Sequence, residues 1–149
     1  MRLDHAWLLA HLPHQGSMCL LDHIAAWDTR SIRGLATSHR DQDNPLRAHG
    51  RLGAACGIEY AAQAMAAHGA LLAFPGKPPR VGYLTSVRSV ELHVSQLDDI
   101  AADLIIEAER LSGDHNTILY GFRIFAGVPL LLSGRIAVVL DATKLGKPT

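Results

Sequence analysis

Hydrophobic positions keep a helical spacing at the start of the chain, fill almost every place between residues 54 and 74, and alternate from there to residue 140. Trp7, Leu8 and Leu12 fall at helical intervals and Pro13 closes the run, which predicts a short amphipathic helix. Residues 18–27 read as a strand, a turn follows through Asp28 and Arg30, and the loose alternation of 32–37 (IRGLAT) predicts a second strand pairing back on the first. Residues 39–53 are polar, carry Pro45, Gly50 and Gly53, and predict an ordered loop.

Segment 54–74 has nine alanines, no proline, and only Glu59, Gln63 and His68 as strongly polar positions. The pattern predicts a helix apolar on nearly every face, which must be surrounded by protein; Phe74, Pro75 and Gly76 supply its stop. Every later segment reads as strand. In 81–94, Val87, Ser89, Glu91 and His93 alternate with Val90, Leu92 and Val94. Segment 100–111 (IAADLIIEAERL) suits either period, and the turn after it favours a hairpin with the next strand. Segments 118–125 and 129–140 make a second hairpin across Ala126, Gly127 and Val128. The expected class is α+β, an antiparallel sheet wrapped around one long helix, in a single domain over 1–149 with 141–149 a loose tail. One sheet does not easily seal such a helix, so a dimer is expected.

Composition narrows the function. Fourteen basic residues balance fourteen acidic ones, and aromatic residues are only 5% of the chain, which removes the argument for nucleic acid. Cys19 and Cys56 lie in apolar surroundings without disulfide or metal spacing, and read as small buried hydrophobes. The N-terminal stretch is interrupted by Asp4, His5 and His11, unlike a signal peptide, and the uncharged stretch 60–76 is short, alanine-rich and broken by Gln63 and His68, unlike a membrane span. The expected setting is the cytoplasm.

Two motifs carry a resemblance. PHQGSMCLLD at 13–22 is similar to the proline-histidine motif that opens the 3-hydroxyacyl-acyl carrier protein dehydratases, a family of hot-dog proteins. GIEYAAQAMA at 57–66 resembles the part of their central helix that bears the catalytic acid, with Glu59 at that position and Gln63 one turn later. The approach NPL…GRL, the helix GIEYAAQAMAAHG and the strand RVGYLTSVRSVELHV resemble more closely the divergent branch of dehydratase-like proteins found with aryl polyene clusters. The resemblance implies a hot-dog fold, dehydration of a 3-hydroxyacyl thioester to the trans-2-enoyl thioester in fatty acid or polyketide-type synthesis, and acyl carrier protein as partner. It implies no cofactor of the protein's own, since the substrate carries phosphopantetheine. It also implies a homodimer, or a heterodimer with a related hot-dog subunit. One departure stands out. The family's histidine lies roughly fourteen residues before the acid, and here that count reaches Asn44 and Pro45, with His39 and His49 to either side.

Dehydration needs a base for the α-proton and an acid for the departing hydroxyl. Glu59, in a helix this apolar, is the candidate acid, because a carboxyl in dry surroundings holds its proton. His49 and His39 are the candidate bases. Gln63 shares the helix face of Glu59 and would hold the carboxyl, or bond across a dimer. Ala55, Ala62, Met65 and Ala66 would line the acyl tunnel, with Asn44 a further candidate contact. His68, nine residues after Glu59, falls about half a turn round the helix and faces elsewhere. Nine histidines invite a zinc hypothesis, but no pair has ligand spacing with a third ligand nearby, so no metal is expected. Two other readings remain open: a non-catalytic subunit that completes a partner's dehydratase, and a thioesterase in which Glu59 activates water.

Overall fold

The computed structural model describes residues 2–73, 83–114 and 116–139. The predicted helix stop at 74–76, the strand start at 81, the end of the last strand at Leu140 and the predicted tail 141–149 lie outside the described residues.

The first helix, α1 (His5–His11), is held at its start by Asp4, whose carboxylate accepts the Trp7 N–H at 3.0 Å. It ends at Leu12, the residue before the proline, with Leu8 turned into the core. The chain then departs from the expected strand over 18–27. Gly16–Met18 form a 3-10 turn, Cys19, Leu20 and Leu21 are buried, and β1 begins only at His23 (His23–Trp27). The cause is tertiary: the Leu20 N–H donates to the side chain of Gln63 at 2.8 Å instead of to a strand.

Strand β2 (Ser31–Ala36) returns along β1 after a turn closed by Asp28, whose Oδ1 accepts from the backbone N–H groups of Arg30 and Ser31. The loop that follows is ordered, as its composition predicts. Ser38–Arg40 form a 3-10 turn, and Ala48 and Arg51 pair across a two-residue turn in which His49 and Gly50 both take positive φ (54° and 74°).

The long helix α2 (Gly57–Ala73) starts three residues later than its alanines suggest, because Ala54–Cys56 form a 3-10 turn. Gly57 permits this close seating: a Cβ there would lie 2.9 Å from both methyls of Leu132. Four long strands complete the sheet: β3 (Tyr83–Leu92), β4 (Leu104–Gly113), β5 (Thr117–Ala126) and β6 (Leu130–Val139). Their order is β1-β2-β4-β5-β6-β3, antiparallel throughout. The ambiguous segment 100–111 therefore enters the sheet, its inward positions Leu104, Ile106 and Ala108 buried.

Helix α2 packs on β2, β4 and β5, and its buried side chains join Ile106, Phe122, Ile124 and Leu132 in one core. This is the expected hot-dog arrangement. The alternation read in β3 needs correction, because one extra residue lies between the pairs Arg88↔Arg135 and Glu91↔Ser133, with Ser89 at φ 54°. Such a bulge reverses which face later residues take. Val87 and Leu92 consequently both lie on the helix side of the sheet, opposite Ile136 and Leu132, yet they are 36% and 48% exposed.

Candidate functional site

Helix α2 divides into two faces. Tyr60, Ala61, Gln63, Ala64, Met65, Ala67, His68 and Leu71 are buried within the chain. Glu59 is exposed, and Ala62, Ala66 and Gly69 beside it are only half-buried. Ala55, in the turn just before the helix, and Leu72, at 37%, are exposed as well. A single subunit thus leaves a small-residue face of its central helix uncovered, with one carboxylate on it. Glu59 has no hydrogen-bond or ionic partner among the described residues. The burial expected around it is absent from the isolated chain, because among the described residues no element crosses that face.

Three of the four predicted tunnel residues, Ala55, Ala62 and Ala66, share the open face with Glu59. Met65 does not; at 4% exposure it belongs to the core. Gln63 is also interior, at 0%, and both ends of its amide are engaged within the chain. Its Oε1 accepts the Leu20 N–H at 2.8 Å and its Nε2 donates to the Met18 carbonyl at 2.7 Å. Gln63 therefore pins the PHQGSMCLLD segment to the helix, and neither holds the Glu59 carboxyl nor crosses a dimer.

Asn44 is likewise a structural hub. Its Nδ2 donates to the Ser38 carbonyl (2.8 Å) and the Tyr60 hydroxyl (3.1 Å), and its Oδ1 accepts the Leu46 N–H. The Ser38 hydroxyl donates to the Leu20 carbonyl, so the Tyr60 hydroxyl donates to Ser38 at 2.8 Å. This chain of bonds ties the loops on either side to the helix and backs a cleft of about 310 Å³ lined by Cys19, Asp22, Ser38, Asp41 and Asn44. Burial pushes the Tyr60 hydroxyl and the Cys19 thiol above their ordinary ranges. Both cysteines are free.

The two candidate bases lie in different settings. His39 is 0% exposed, not a solvated loop residue. Its Nε2 lies 3.0 Å from the carbonyls of both Ile100 and Ala102; carbonyls only accept, so Nε2 carries the hydrogen. Its Nδ1 is buried without a partner, and desolvation holds the ring below its ordinary pKa. His39 thus fastens the 37–40 turn to the segment before β4. His49 is exposed at the tip of its two-residue turn and makes no hydrogen bond among the described residues. Among the described residues neither histidine forms a hydrogen bond or ion pair with Glu59.

Sequence reasoning missed a second buried network. On the helix side opposite Glu59, the His68 Nε2 donates to the Asp28 carbonyl at 2.8 Å, and its Nδ1 accepts from the Tyr120 hydroxyl at 2.7 Å. Burial lowers the His68 pKa and pushes Tyr120 up to about 12. Helical spacing puts His68 off the Glu59 face, but only the fold supplies Asp28 and Tyr120. Among the described residues there is no group of three or more His, Cys, Asp or Glu side chains able to hold a metal, and no helix long and apolar enough to cross a membrane.

The family model for ApeP-like proteins, described as ApeP dehydratase, matches residues 8–145. Among solved structures, the dehydratase heterocomplex ApeI:P from Xenorhabdus doucetiae is similar over 93% of this chain and 93% of that one, at 22% identity and a TM-score of 0.82. A thioesterase from Haemophilus influenzae is similar over 84% and 82% of the two chains, at 12% identity and a TM-score of 0.59. Zebra fish thioesterase superfamily member 2 is similar over 92% and 95%, at 10% identity and a TM-score of 0.62. No curated protein matches the chain.

Proposed function

Since the chain belongs to the ApeP-like dehydratase family, we propose that it removes water from a 3-hydroxyacyl thioester borne on acyl carrier protein, with Glu59 as the acid in a site completed by a second hot-dog subunit. The observation that carries this reading is the placement of Glu59: a carboxylate without a partner among the described residues, on the exposed face of an otherwise buried helix, flanked by Ala55, Ala62 and Ala66. A partner laid over that face would desolvate the carboxyl, leave an apolar passage beside the small side chains, and bury the exposed Leu72. β3 is an edge strand whose Leu84, Val87 and Leu92 are exposed on the helix side, which suits the same partner. The heterocomplex of the similar Xenorhabdus protein makes a related, non-identical subunit the favoured partner.

In the reaction, a base takes the α-proton, the electron pair forms the α,β double bond, and the 3-hydroxyl leaves as water on receiving the Glu59 proton. The trans-2-enoyl thioester remains on the phosphopantetheine arm. The base then returns its proton to the emptied carboxylate through solvent. His39 is committed to two carbonyls, so the base is either His49 or a histidine of the partner subunit. No hydrogen bond or ion pair joins His49 to Glu59 among the described residues, which favours the partner.

Mass spectrometry of a 3-hydroxyacyl carrier protein tests this, with the chain alone, with a co-expressed hot-dog partner, and with Glu59→Gln in each. Loss of one water that needs Glu59 supports the proposal, and dependence on the partner assigns the base to it. Water loss that persists in Glu59→Gln refutes the role of the acid. Release of free thiol in place of water would support the thioesterase reading, to which the thioesterase neighbours lend the fold.

A further inference from the structure

Helix α2 has little in its apolar packing to fix its rotation. Of its ten buried residues, Gly57, Ala61, Ala64, Ala67 and Ala70 present a methyl group or less, and Met65 and Leu71 are the large apolar ones. Packed helices hold their register by fitting ridges of side chains into grooves, and methyl groups make shallow ridges. The alanines therefore resist a small turn of α2 about its axis only weakly.

Three polar side chains supply what the alanines lack. Tyr60, Gln63 and His68 are each 0% exposed. Each reaches a different part of the chain. The Tyr60 hydroxyl donates to Ser38 and accepts from Asn44, in the loop after β2. The Gln63 amide bonds Met18 and Leu20, ahead of β1. His68 bonds the Asp28 carbonyl in the β1–β2 turn and the Tyr120 hydroxyl on β5. At about 100° per residue the three fall within an arc of about 140°, spread over about 12 Å of helix. Glu59, Ala62, Ala66 and Gly69 fall within an arc of about 80° on the other side. The helix is thus anchored along its back, and Glu59 stands on the face that the anchors turn outward.

The size of the effect decides whether such anchoring matters. Side-chain tips lie about 5–6 Å from a helix axis, so a turn of about 20° carries the Glu59 carboxyl about 2 Å sideways. A misplacement of about 1 Å is enough to slow a reaction about a hundredfold. The same turn would break the anchoring bonds, which are 2.7–3.1 Å long. Broken bonds inside the core leave polar groups without partners, so the anchors oppose that turn.

We propose that Tyr60, Gln63 and His68 are positioning residues that set the rotation of α2 and so aim the Glu59 carboxyl at the bound substrate. The inference rests on the reading of Glu59 as the acid.

The test is Tyr60→Phe, which removes one hydroxyl and keeps the ring, with Ser38→Ala removing the same bond from its other end. Ile106→Val, a truncation in the core of β4, is the control for lost stability. With a co-expressed hot-dog partner and a 3-hydroxyacyl carrier protein, both anchor variants should lower kcat at least about tenfold and leave KM within about twofold. Ile106→Val should change neither. Amide hydrogen exchange of the full-length chain reads the anchoring without any activity. Protection across α2 should fall in both anchor variants by more than protection across β4 and β5, whereas a merely structural role lowers them together. An unchanged kcat in the anchor variants, or α2 protection lost only in step with the sheet, would overturn the proposal. A wild-type protein that removes no water refutes the dehydratase reading instead, and hydrogen exchange then decides whether the anchors set the helix.

Discussion

Two buried histidines make the stability of this protein sensitive to mild acid. His39 and His68 are each 0% exposed and each donate from Nε2 to backbone carbonyls; the Nδ1 of His68 accepts from Tyr120, and that of His39 has no partner. Protonating His68 would set a second N–H against the Tyr120 hydroxyl, with Arg110 also disfavouring the charge. Desolvation is the leading cause that lowers both folded pKa values, so between the unfolded value, about 6.5, and the lower folded value the unfolded chain binds more protons. The contribution is fully present above pH about 6.5 and is lost as pH falls below it. Each histidine that stays neutral in the fold costs about 1.4 kcal/mol per pH unit in that window. From pH 7.5 to 5.5 the expected loss is therefore up to about 1.4 kcal/mol for one and about 2.7 kcal/mol for both. Urea unfolding at fixed protein concentration measures it directly. His39→Gln and His68→Gln keep an amide donor where Nε2 stood but cannot titrate, so each should remove about half of the slope. Flat stability across that range, or a full slope in both variants, would refute the reasoning.

Other consequences can be checked by the same unfolding assay. Gly57→Ala should destabilise by about 1–3 kcal/mol, because its Cβ would meet Leu132 at 2.9 Å and Ile124 at 3.2 Å. Gly69→Ala, whose Cβ has nothing within 4 Å, should instead stabilise the isolated chain by up to about 1 kcal/mol through helix propensity. Gln63→Leu strands the Leu20 N–H and the Met18 carbonyl and should cost about 2–5 kcal/mol, whereas Glu59→Gln, on the exposed face, should leave stability within about 0.5 kcal/mol.

The functional candidates were legible to different depths. Glu59 stood out as the only formal charge in an alanine-rich helix, and the placement of Ala55, Ala62 and Ala66 beside it follows from helical spacing alone. Gln63 shows the limit of the same logic. It lies four residues on, yet rotation by the remaining fraction of a turn is enough to bury it, and its amide serves Met18 and Leu20 instead. Tyr60, which anchors Ser38 and Asn44, carried no signal beyond its position next to Glu59.

Periodicity and composition by themselves determined the α+β class, the central helix, the hairpins after it and the position of the carboxylate. Those features depend on neighbours within a few residues, where spacing decides which face a side chain takes. Tertiary structure alone decided the rest. Contact with Gln63 withheld residues 18–22 from β1, a single extra residue at Ser89 turned Val87 and Leu92 to the same side, and burial converted His39 from a candidate base into a backbone clamp. Hydrogen bonds between residues 43 or 61 positions apart leave no periodic trace. They arise only when the sheet closes on the helix, because burial then requires every polar group inside to find a partner.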